Sequence, residues 1–431
     1  MASWNIADSA ERIVYRVAGL PVAVRAALAA REAGVTDALR SAIAERYWHP
    51  EGLADWLELV LGVAISPIGL FLASAFYISR NGRLINQRFG KSIPQQFVEQ
   101  MKLYFSCGVL PPWYYIFSLH DEGAKRAGTF IQRFETKRCL FPMLKPKKGT
   151  PLNDKKRFAA YCAERQIRCV ETLLALEGDR PDCGLPEYDL FVKPSSGRGG
   201  RGAERWDLVG PARFASASGE RLGAEKLLDR LVERSRRHHL IVQPRLRPHE
   251  QLLEITAGAL PTMRVLTCLN ENREPEVVTA MLRTSFGRNI TVDNLHAGGI
   301  GALIDLETGT LSKSSNLGSD AALGWISVHP DTGARIEGRE VPCWERVKAD
   351  AVAAHRHFLD RVVIGWDIAV VEDGPIFIEG NGNPDLDILQ RFMRTGLRDH
   401  RFGKLLDHHI QDRPRAAVPT AFDRHVEPRQ S

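Results

Sequence analysis

The stretch that decides the fold is residues 364–390, IGWDIAVVEDGPIFIEGNGNPDLDILQ. Two short apolar runs, Ile364–Val371 and Pro375–Glu379, flank the polar residues 372–374. This pattern predicts two antiparallel strands joined by a three-residue loop. Gly suits the last position of such a loop because it adopts positive φ without a steric penalty.

The register of this predicted hairpin brings polar side chains together. A three-residue loop would pair Val371 with Pro375, so that Asp367 lies directly across from Glu379 and Asn381 lies on the same face. The opposite face would carry the apolar side chains of Ile368, Val370, Ile376 and Ile378. A two-residue loop would instead turn Asp367 to the other face.

Two facing carboxylates repel each other unless a cation lies between them. Mg²⁺ prefers hard oxygen ligands and commonly binds through one or two carboxylates together with substrate phosphates. We therefore predict a Mg²⁺ site formed by Asp367, Glu379 and Asn381. The residues alone leave a second interpretation open, in which these are ordinary acidic residues on a solvated hairpin edge.

The composition is typical of a folded globular protein, with 431 residues, 44% hydrophobic and 26% charged. This length allows two or three domains. The net charge of +6 is compatible with anionic partners such as nucleotides, and no aromatic-and-basic pattern indicates nucleic-acid binding. The seven cysteines lack CxxC spacing, which predicts reduced thiols in the cytoplasm and neither a disulfide framework nor a zinc site.

The first 134 residues predict a helical N-terminal region, with a pair of helices at 7–47 and no signal peptide. Within it, residues 59–78 (LVLGVAISPIGLFLASAFYI) carry no charge and are about long enough to cross a bilayer. Four basic residues follow this segment, which would keep the rest of the chain on the cytoplasmic side. Pro67 inside the segment is equally typical of a buried helical hairpin, which is the interpretation we favour.

A phosphate-binding loop is predicted at 193–202, KPSSGRGGRG. A strand at 188–192 leads into Lys193, whose ammonium group supplies positive charge. Backbone N–H groups can approach phosphate oxygens where no side chain intrudes. The glycines concerned are Gly197, Gly199, Gly200 and Gly202. A flexible hairpin turn is the alternative.

Two further strands extend the predicted nucleotide site. The strand 240–243 ends against Pro244, which leaves backbone groups free to bond the edge of an adenine, with Leu246 as an apolar wall. The strand 262–267 carries Arg264 in an apolar run. A buried arginine pairs with a carboxylate or faces a bound anion, and the neighbouring predicted site favours the anion.

These motifs in this order resemble the ATP-grasp superfamily, and most nearly the sugar-transfer associated ATP-grasp family. The resemblance covers roughly residues 135–410 and implies an α/β (α+β) fold, in which two α+β subdomains clamp ATP after a mainly helical N-terminal region. The implied divisions are 1–134, 135–245 with the glycine-rich lid, 246–412 with the metal and catalytic residues, and a disordered tail at 413–431.

The resemblance also implies a role for each motif. Arg264 would stabilise charge on the transferring phosphoryl group, and Lys193 would contact the ATP phosphates beneath a mobile glycine lid. The remaining implied residues are Gly197, Gly199, Gly200 and Gly202 in the lid, Gln243 and Leu246 in the adenine hinge, and Asp367, Glu379 and Asn381 as Mg²⁺ ligands.

The sequence departs from the pattern of the family at two positions. The hinge usually carries Glu where this chain has Gln243, with Glu250 as a candidate substitute. Ala159 stands where many relatives have a second ATP-binding lysine, and Lys137 or Lys155 could replace it. A loop at 293–300 offers further candidates for substrate contact.

The resemblance implies a Mg²⁺-dependent ligase that uses ATP to activate a carboxylate as an acyl phosphate and joins it to an amine, releasing ADP. Its substrates would be small molecules, and the family name suggests polysaccharide or natural-product biosynthesis. Two alternatives stay open: a phosphotransferase acting on a sugar or other hydroxyl, and a non-catalytic ATP-binding scaffold of a membrane-associated assembly. We expect a cytoplasmic protein, with a membrane contact through 59–78 left open.

Overall fold

The computed structural model describes residues 53–144, 150–196, 200, 202–287 and 291–412. Described residues within Met1–Lys145, Gly318–Gly324 and Asp385–Ser431 form one compact unit, here the helical unit. Those within Pro146–Leu317 and Trp325–Pro384 form a second, here the sheet unit. The predicted helices at 7–47 and the predicted tail at 413–431 lie outside the described residues.

The helices and strands are numbered in chain order. The helices are α1 Leu53–Phe89, α2 Ile93–Cys107, α3 Pro111–Ile116, α4 Arg133–Glu135, α5 Phe141–Leu144, α6 Lys155–Glu164, α7 Ala224–Ser235, α8 Glu250–Leu253, α9 Trp344–His355, α10 Leu386–Met393 and α11 Arg401–Gln411. The strands are β1 Leu174–Leu176, β2 Leu190–Pro194, β3 Glu204–Gly210, β4 Arg213–Ser216, β5 Arg221–Gly223, β6 Leu240–Pro244, β7 Thr262–Leu269, β8 Pro275–Thr284, β9 Ile300–Ile304, β10 Leu311–Ser315, β11 Val363–Val371 and β12 Gly374–Asn381.

The apolar segment 59–78 lies in α1, a single continuous helix with Pro67 in its interior. The prediction of a helical hairpin is therefore wrong. One proline removes only one backbone hydrogen bond, and the buried face of the helix continues from Ser66 before it to Leu70 and Ile78 after it. No helix within the described ranges combines the length and the hydrophobicity of a membrane-spanning segment.

The core of the helical unit is aromatic. Trp113, Tyr114, Tyr115 and Phe117 are buried in one cluster that also includes Phe130. The aromatic residues between 113 and 117 thus pack inside this unit.

The sheet unit contains two antiparallel sheets of six strands each. The first has the order β1-β6-β2-β3-β4-β5 and is called the lysine sheet, because β2 carries Lys193. The second has the order β10-β9-β8-β7-β11-β12 and is called the carboxylate sheet, because its last two strands carry Asp367 and Glu379. Apolar side chains of α7, including Leu227 and Leu231, complete the core of the lysine sheet.

The hairpin β11–β12 forms, but its loop differs from the prediction. Val371 pairs with Gly374, so the loop consists of the two residues 372 and 373. Gly374 adopts a φ of 107°, which brings the chain back into the sheet one residue earlier than expected. The predicted pairing of Val371 with Pro375 is wrong.

A β-bulge compensates for the shorter loop. Ile368 pairs with Phe377, whereas Asp367 pairs with Glu379, so Ile378 is an extra residue on β12. The bulge restores the predicted pairing of Asp367 with Glu379. On the apolar side, Phe377 takes the place predicted for Ile378, and its ring centroid lies 5.3 Å from that of Trp366.

Candidate functional site

Three neighbouring strands of the carboxylate sheet place charged residues in one row. Arg264 on β7 lies directly opposite Asp367 on β11, and Asp367 lies directly opposite Glu379 on β12. Directly opposed residues of antiparallel strands share a face of the sheet. Residues from three separate sequence motifs thus form one contiguous set of charges.

Asp367 is held by two arginines. Its Oδ1 accepts from Arg264 Nε at 2.5 Å and its Oδ2 from Arg264 Nη2 at 3.1 Å, a bidentate pair. Arg283 Nη2 lies 3.0 Å from the same Oδ2. Burial alone would raise the pKa of Asp367, but Arg264 and Arg283 hold it well below its usual range. Asp367 is therefore ionised throughout the physiological pH range.

Arg283 is the main site residue that the sequence analysis missed. It is buried on β8, and its Nη2 donates to Thr262 Oγ1 at 2.5 Å. Burial would lower its pKa, but Asp367 and Asp293 raise it above its ordinary value. The signal was present, because Arg283 stands in an apolar strand just as Arg264 does.

Asp293 completes the surroundings of Arg283. Its Oδ2 lies 3.6 Å from Arg283 Nε and accepts from the backbone N–H of Thr262 at 3.0 Å, as well as from the Thr262 hydroxyl. Burial raises the pKa of Asp293, while Arg283 and Thr262 oppose that change. The loop at 293–300 therefore contributes to the charge network through its first residue.

Glu379 and Asn381 form the other end of the row. Asn381 Nδ2 donates to Glu379 Oε1 at 3.3 Å, and Lys155 Nζ lies 3.7 Å from Glu379 Oε2. Lys155 begins α6, where the side chain of Asp154 caps the helix. Lys137, the other candidate for the second lysine, lies in the helical unit and pairs with Asp385 at 2.8 Å. Of the two, Lys155 is the one that contacts the predicted site.

Lys193 reaches this charge network from the lysine sheet. The residue is buried near the end of β2. Burial lowers the pKa of Lys193 to about 8, against the raising effect of Glu379. Lys155 lowers it further. An ammonium group of this kind is charged at neutral pH but holds its proton weakly.

Two of the four predicted lid glycines, Gly197 and Gly199, lie outside the described residues. Gly200 and Gly202 adopt φ of 69° and 73°, the left-handed conformation that glycine tolerates best. At Gly200 a Cβ would also lie only 2.8 Å from Val292 Cγ1. In the predicted hinge, Gln243 is buried opposite Phe191, and the remaining hinge residue, Leu246, is half-buried after β6.

The predicted Mg²⁺ ligands offer only oxygen donors, the type that Mg²⁺ prefers. Glu379 and Asn381 stand two residues apart on β12, and Asp367 pairs with Glu379. Both oxygens of Asp367 already face guanidinium groups, so metal binding by Asp367 would replace an arginine contact. Among the residues that the structure describes, no cluster of three or more His, Cys, Asp or Glu side chains could hold a metal. The donor chemistry therefore fits Mg²⁺ best through Glu379 and Asn381, completed by phosphate oxygens.

The sequence profile of the sugar-transfer associated ATP-grasp family matches residues 138–404. The match spans more than half of the chain and includes every strand described above. The protein therefore belongs to the sugar-transfer associated ATP-grasp family. A comparison with curated protein sequences found no match.

Matches among solved structures include two ligases and a carboxylase domain. The D-alanine–D-alanine ligase of Bacillus anthracis is 15% identical, with a TM-score of 0.32, over 60% of this chain and 66% of that one. The L-amino acid ligase of Bacillus licheniformis is 9% identical, with a TM-score of 0.33, over 58% and 48%. The biotin carboxylase domain of Hydrogenobacter thermophilus 2-oxoglutarate carboxylase, solved with MgADP, is 13% identical, with a TM-score of 0.34, over 60% and 45%. The chain spans less than two thirds of the length of each of these three proteins.

Proposed function

We propose that the protein is an ATP- and Mg²⁺-dependent ligase that activates a carboxylate as an acyl phosphate and joins it to an amine, with release of ADP. The observation that supports this best is the charge row of Arg264, Asp367 and Glu379 across three adjacent strands. Membership of an ATP-grasp family supports the same reaction class.

In this proposal the lysine sheet binds the nucleotide. Lys193 contributes the positive charge that meets the phosphates, and Gly197, Gly199, Gly200 and Gly202 let backbone N–H groups approach them. The backbone beside Gln243 bonds the adenine edge, and Leu246 supplies an apolar contact. Closure of the glycine loop would exclude water from the reacting phosphoryl group.

The carboxylate sheet stabilises the negative charge that develops during phosphoryl transfer. Asp367 fixes the orientation of Arg264 and Arg283, so both cations are positioned before substrate arrives. Glu379 and Asn381 would hold Mg²⁺, with Asp367 as the third predicted ligand. When bound, Mg²⁺ neutralises charge on phosphate oxygens. Lys155 adds a further cation beside Glu379.

The nucleophile in the first step is the carboxylate substrate itself, which attacks the terminal phosphorus of ATP and displaces ADP. The amine then attacks the acyl carbon and displaces phosphate. No covalent intermediate on the protein is needed in this sequence. The chain contributes to catalysis by positioning the reactants and by stabilising the charge on the transferring phosphoryl group.

Trapping of the acyl phosphate tests the proposal directly. The purified chain is incubated with ATP, Mg²⁺, a panel of small carboxylates and hydroxylamine, and hydroxamate and ADP are measured together. We expect equal amounts of hydroxamate and ADP with at least one carboxylate. Glu379→Gln should lower both by about a hundredfold or more. Glu274→Gln, an exposed carboxylate on the turn between β7 and β8, is the matched control and should change neither.

Two other outcomes would contradict the ligase proposal. Transfer of phosphate to a sugar or other hydroxyl, without hydroxamate, would identify a phosphotransferase. Nucleotide binding without ADP release for any acceptor would identify a scaffold. Because hydroxylamine takes the place of the amine, the test does not depend on knowing the natural amine substrate.

A further inference from the structure

The exposed face of α1 carries large apolar side chains in the middle of the helix, between residues 68 and 76. Ile68, Phe71, Leu72 and Phe76 are 64%, 58%, 60% and 53% exposed. Residues spaced by three, four and eight positions share one side of a helix, so these four form a continuous apolar stripe. Large apolar side chains exposed singly are common on proteins, but a contiguous stripe of them marks an interaction surface.

The opposite side of α1 is fixed to the helical unit. Asn81 is fully buried, and its side chain donates to Tyr77 O at 3.0 Å and accepts from the N–H of Ala321 at 2.7 Å. Arg88 donates to the carbonyl oxygens of Ala321 and Ala322, each at 2.6 Å. The helix is therefore held in one rotation, and the apolar stripe faces outward because of that rotation.

The exposed side becomes basic where the apolar stripe ends. Arg80 and Arg83 are exposed one and two turns after Phe76. The guanidinium carbon of Arg80 lies 5.7 Å from the centre of the Phe76 ring, so the two regions adjoin. The sequence contains no Asp or Glu between Glu58 and Glu99, so this stretch carries a positive net charge. Arg80 Nη2 lies 3.9 Å from Asp320 Oδ2, and both side chains are half exposed, so this surface pair is weak and leaves the guanidinium accessible.

We propose that the apolar stripe and the adjoining arginines seat the helical unit on the surface of an anionic membrane. The apolar side chains would enter the boundary between headgroups and acyl chains, and the arginines would contact acidic headgroups. A second copy of the chain fits less well. Parallel helices would place arginines against arginines, and antiparallel helices centred on the stripe would leave the arginines opposite the uncharged residues 59–67, with no anionic partner.

Vesicle flotation of the full chain tests this proposal. One set of vesicles contains phosphatidylcholine alone, and the other contains equal parts of phosphatidylcholine and phosphatidylglycerol. The chain should bind the mixed vesicles at least about tenfold more tightly than the neutral ones, because each arginine near an anionic surface contributes about fivefold. Added salt should weaken this preference.

Three double variants separate the contributions. Phe71→Ser with Leu72→Ser should weaken binding to mixed vesicles by at least about tenfold. Arg80→Gln with Arg83→Gln should remove most of the preference for mixed vesicles. Val209→Ser with Leu253→Ser removes apolar residues that are 51% and 53% exposed in the sheet unit, and should leave binding unchanged. Circular dichroism of each variant reports whether it folds.

Several outcomes would overturn the proposal. The first is an absence of binding to mixed vesicles by the full chain. The second is unchanged binding after the apolar stripe is altered in a folded variant. The third is a dimer in sedimentation equilibrium that the same variant dissociates without any vesicle binding, since this would assign the stripe to a second copy of the chain.

Discussion

The two sheets of the sheet unit supply positive charge to the candidate site in different ways. In the carboxylate sheet, Arg264 and Arg283 are held by Asp367, and the pKa of Arg283 is raised above its ordinary value by Asp367 and Asp293. In the lysine sheet, Lys193 is buried and its pKa is lowered to about 8. A cation paired with a carboxylate is fixed in position. A lysine with a lowered pKa holds its proton more firmly once a phosphate binds beside it. We infer that the carboxylate sheet holds positive charge in a fixed position. The charge that the lysine sheet supplies depends instead on pH and on whether phosphate is bound.

Removal of Asp367, the carboxylate at the centre of the charge row, should have the largest effect on stability. Asp367→Ala leaves two arginines with reduced compensation in a buried site, which typically costs about 3–5 kcal/mol in the free energy of unfolding. Urea denaturation monitored by circular dichroism measures the change. Asp182→Ala, an exposed position in the same unit, should change the free energy by less than about 0.5 kcal/mol. A loss below about 1 kcal/mol for Asp367→Ala would show that Asp367 does not hold the arginines.

The contribution of the lysine sheet should appear as a dependence of ATP affinity on pH. Below pH 8 Lys193 carries its ammonium charge, and above pH 8 the free protein loses it, so affinity for ATP should fall as pH rises. In the limit the loss is about tenfold per pH unit, because only the protonated fraction binds well. Bound phosphate favours the charged form, so binding should take up a proton in this range.

Calorimetric titration with ATP in buffers of different ionisation enthalpy measures both the affinity and the proton uptake. Lys193→Arg keeps its charge at pH 9 and should flatten the dependence on pH. The comparison between the two sheets would fail if wild-type affinity were constant from pH 7 to pH 9, or if Lys193→Arg retained the wild-type pH dependence.

Much of the candidate site could be predicted because its residues are chemically unusual in their context. The hairpin register predicts that Asp367 faces Glu379, and the need of a buried arginine for a partner singles out Arg264. The same need for a partner, applied to Arg283, would have added the second arginine that contacts Asp367. Lys193 was found because it follows an apolar strand and precedes glycines.

The geometry of the hairpin could be predicted only in part. A two-residue loop and a three-residue loop are both compatible with Glu372-Asp373-Gly374, and a β-bulge leaves no clear mark in an apolar strand such as Pro375–Glu379. The correct pairing of Asp367 with Glu379 arises from a loop one residue shorter than predicted and a bulge of one residue at Ile378. Tertiary packing, with Phe377 against Trp366, selects this combination.

The continuity of α1 was missed for a different reason. Pro67 and the apolar composition of 59–78 favoured a break and burial. The structure shows that burial follows one face only, with Leu70, Ser74 and Ile78 inside, while the apolar stripe faces outward. Hydrophobicity alone does not say which face of a helix is covered.

The measurement that tests the central claim most directly is isothermal titration with a non-hydrolysable ATP analogue, with and without Mg²⁺, for the wild-type chain, Lys193→Ala and Glu379→Gln. We expect binding that requires Mg²⁺ for full affinity. Lys193→Ala should weaken it in both conditions, and Glu379→Gln should remove mainly the Mg²⁺-dependent part. No binding by the wild-type chain, or binding that neither substitution changes, would contradict the assignment of this site to ATP and Mg²⁺.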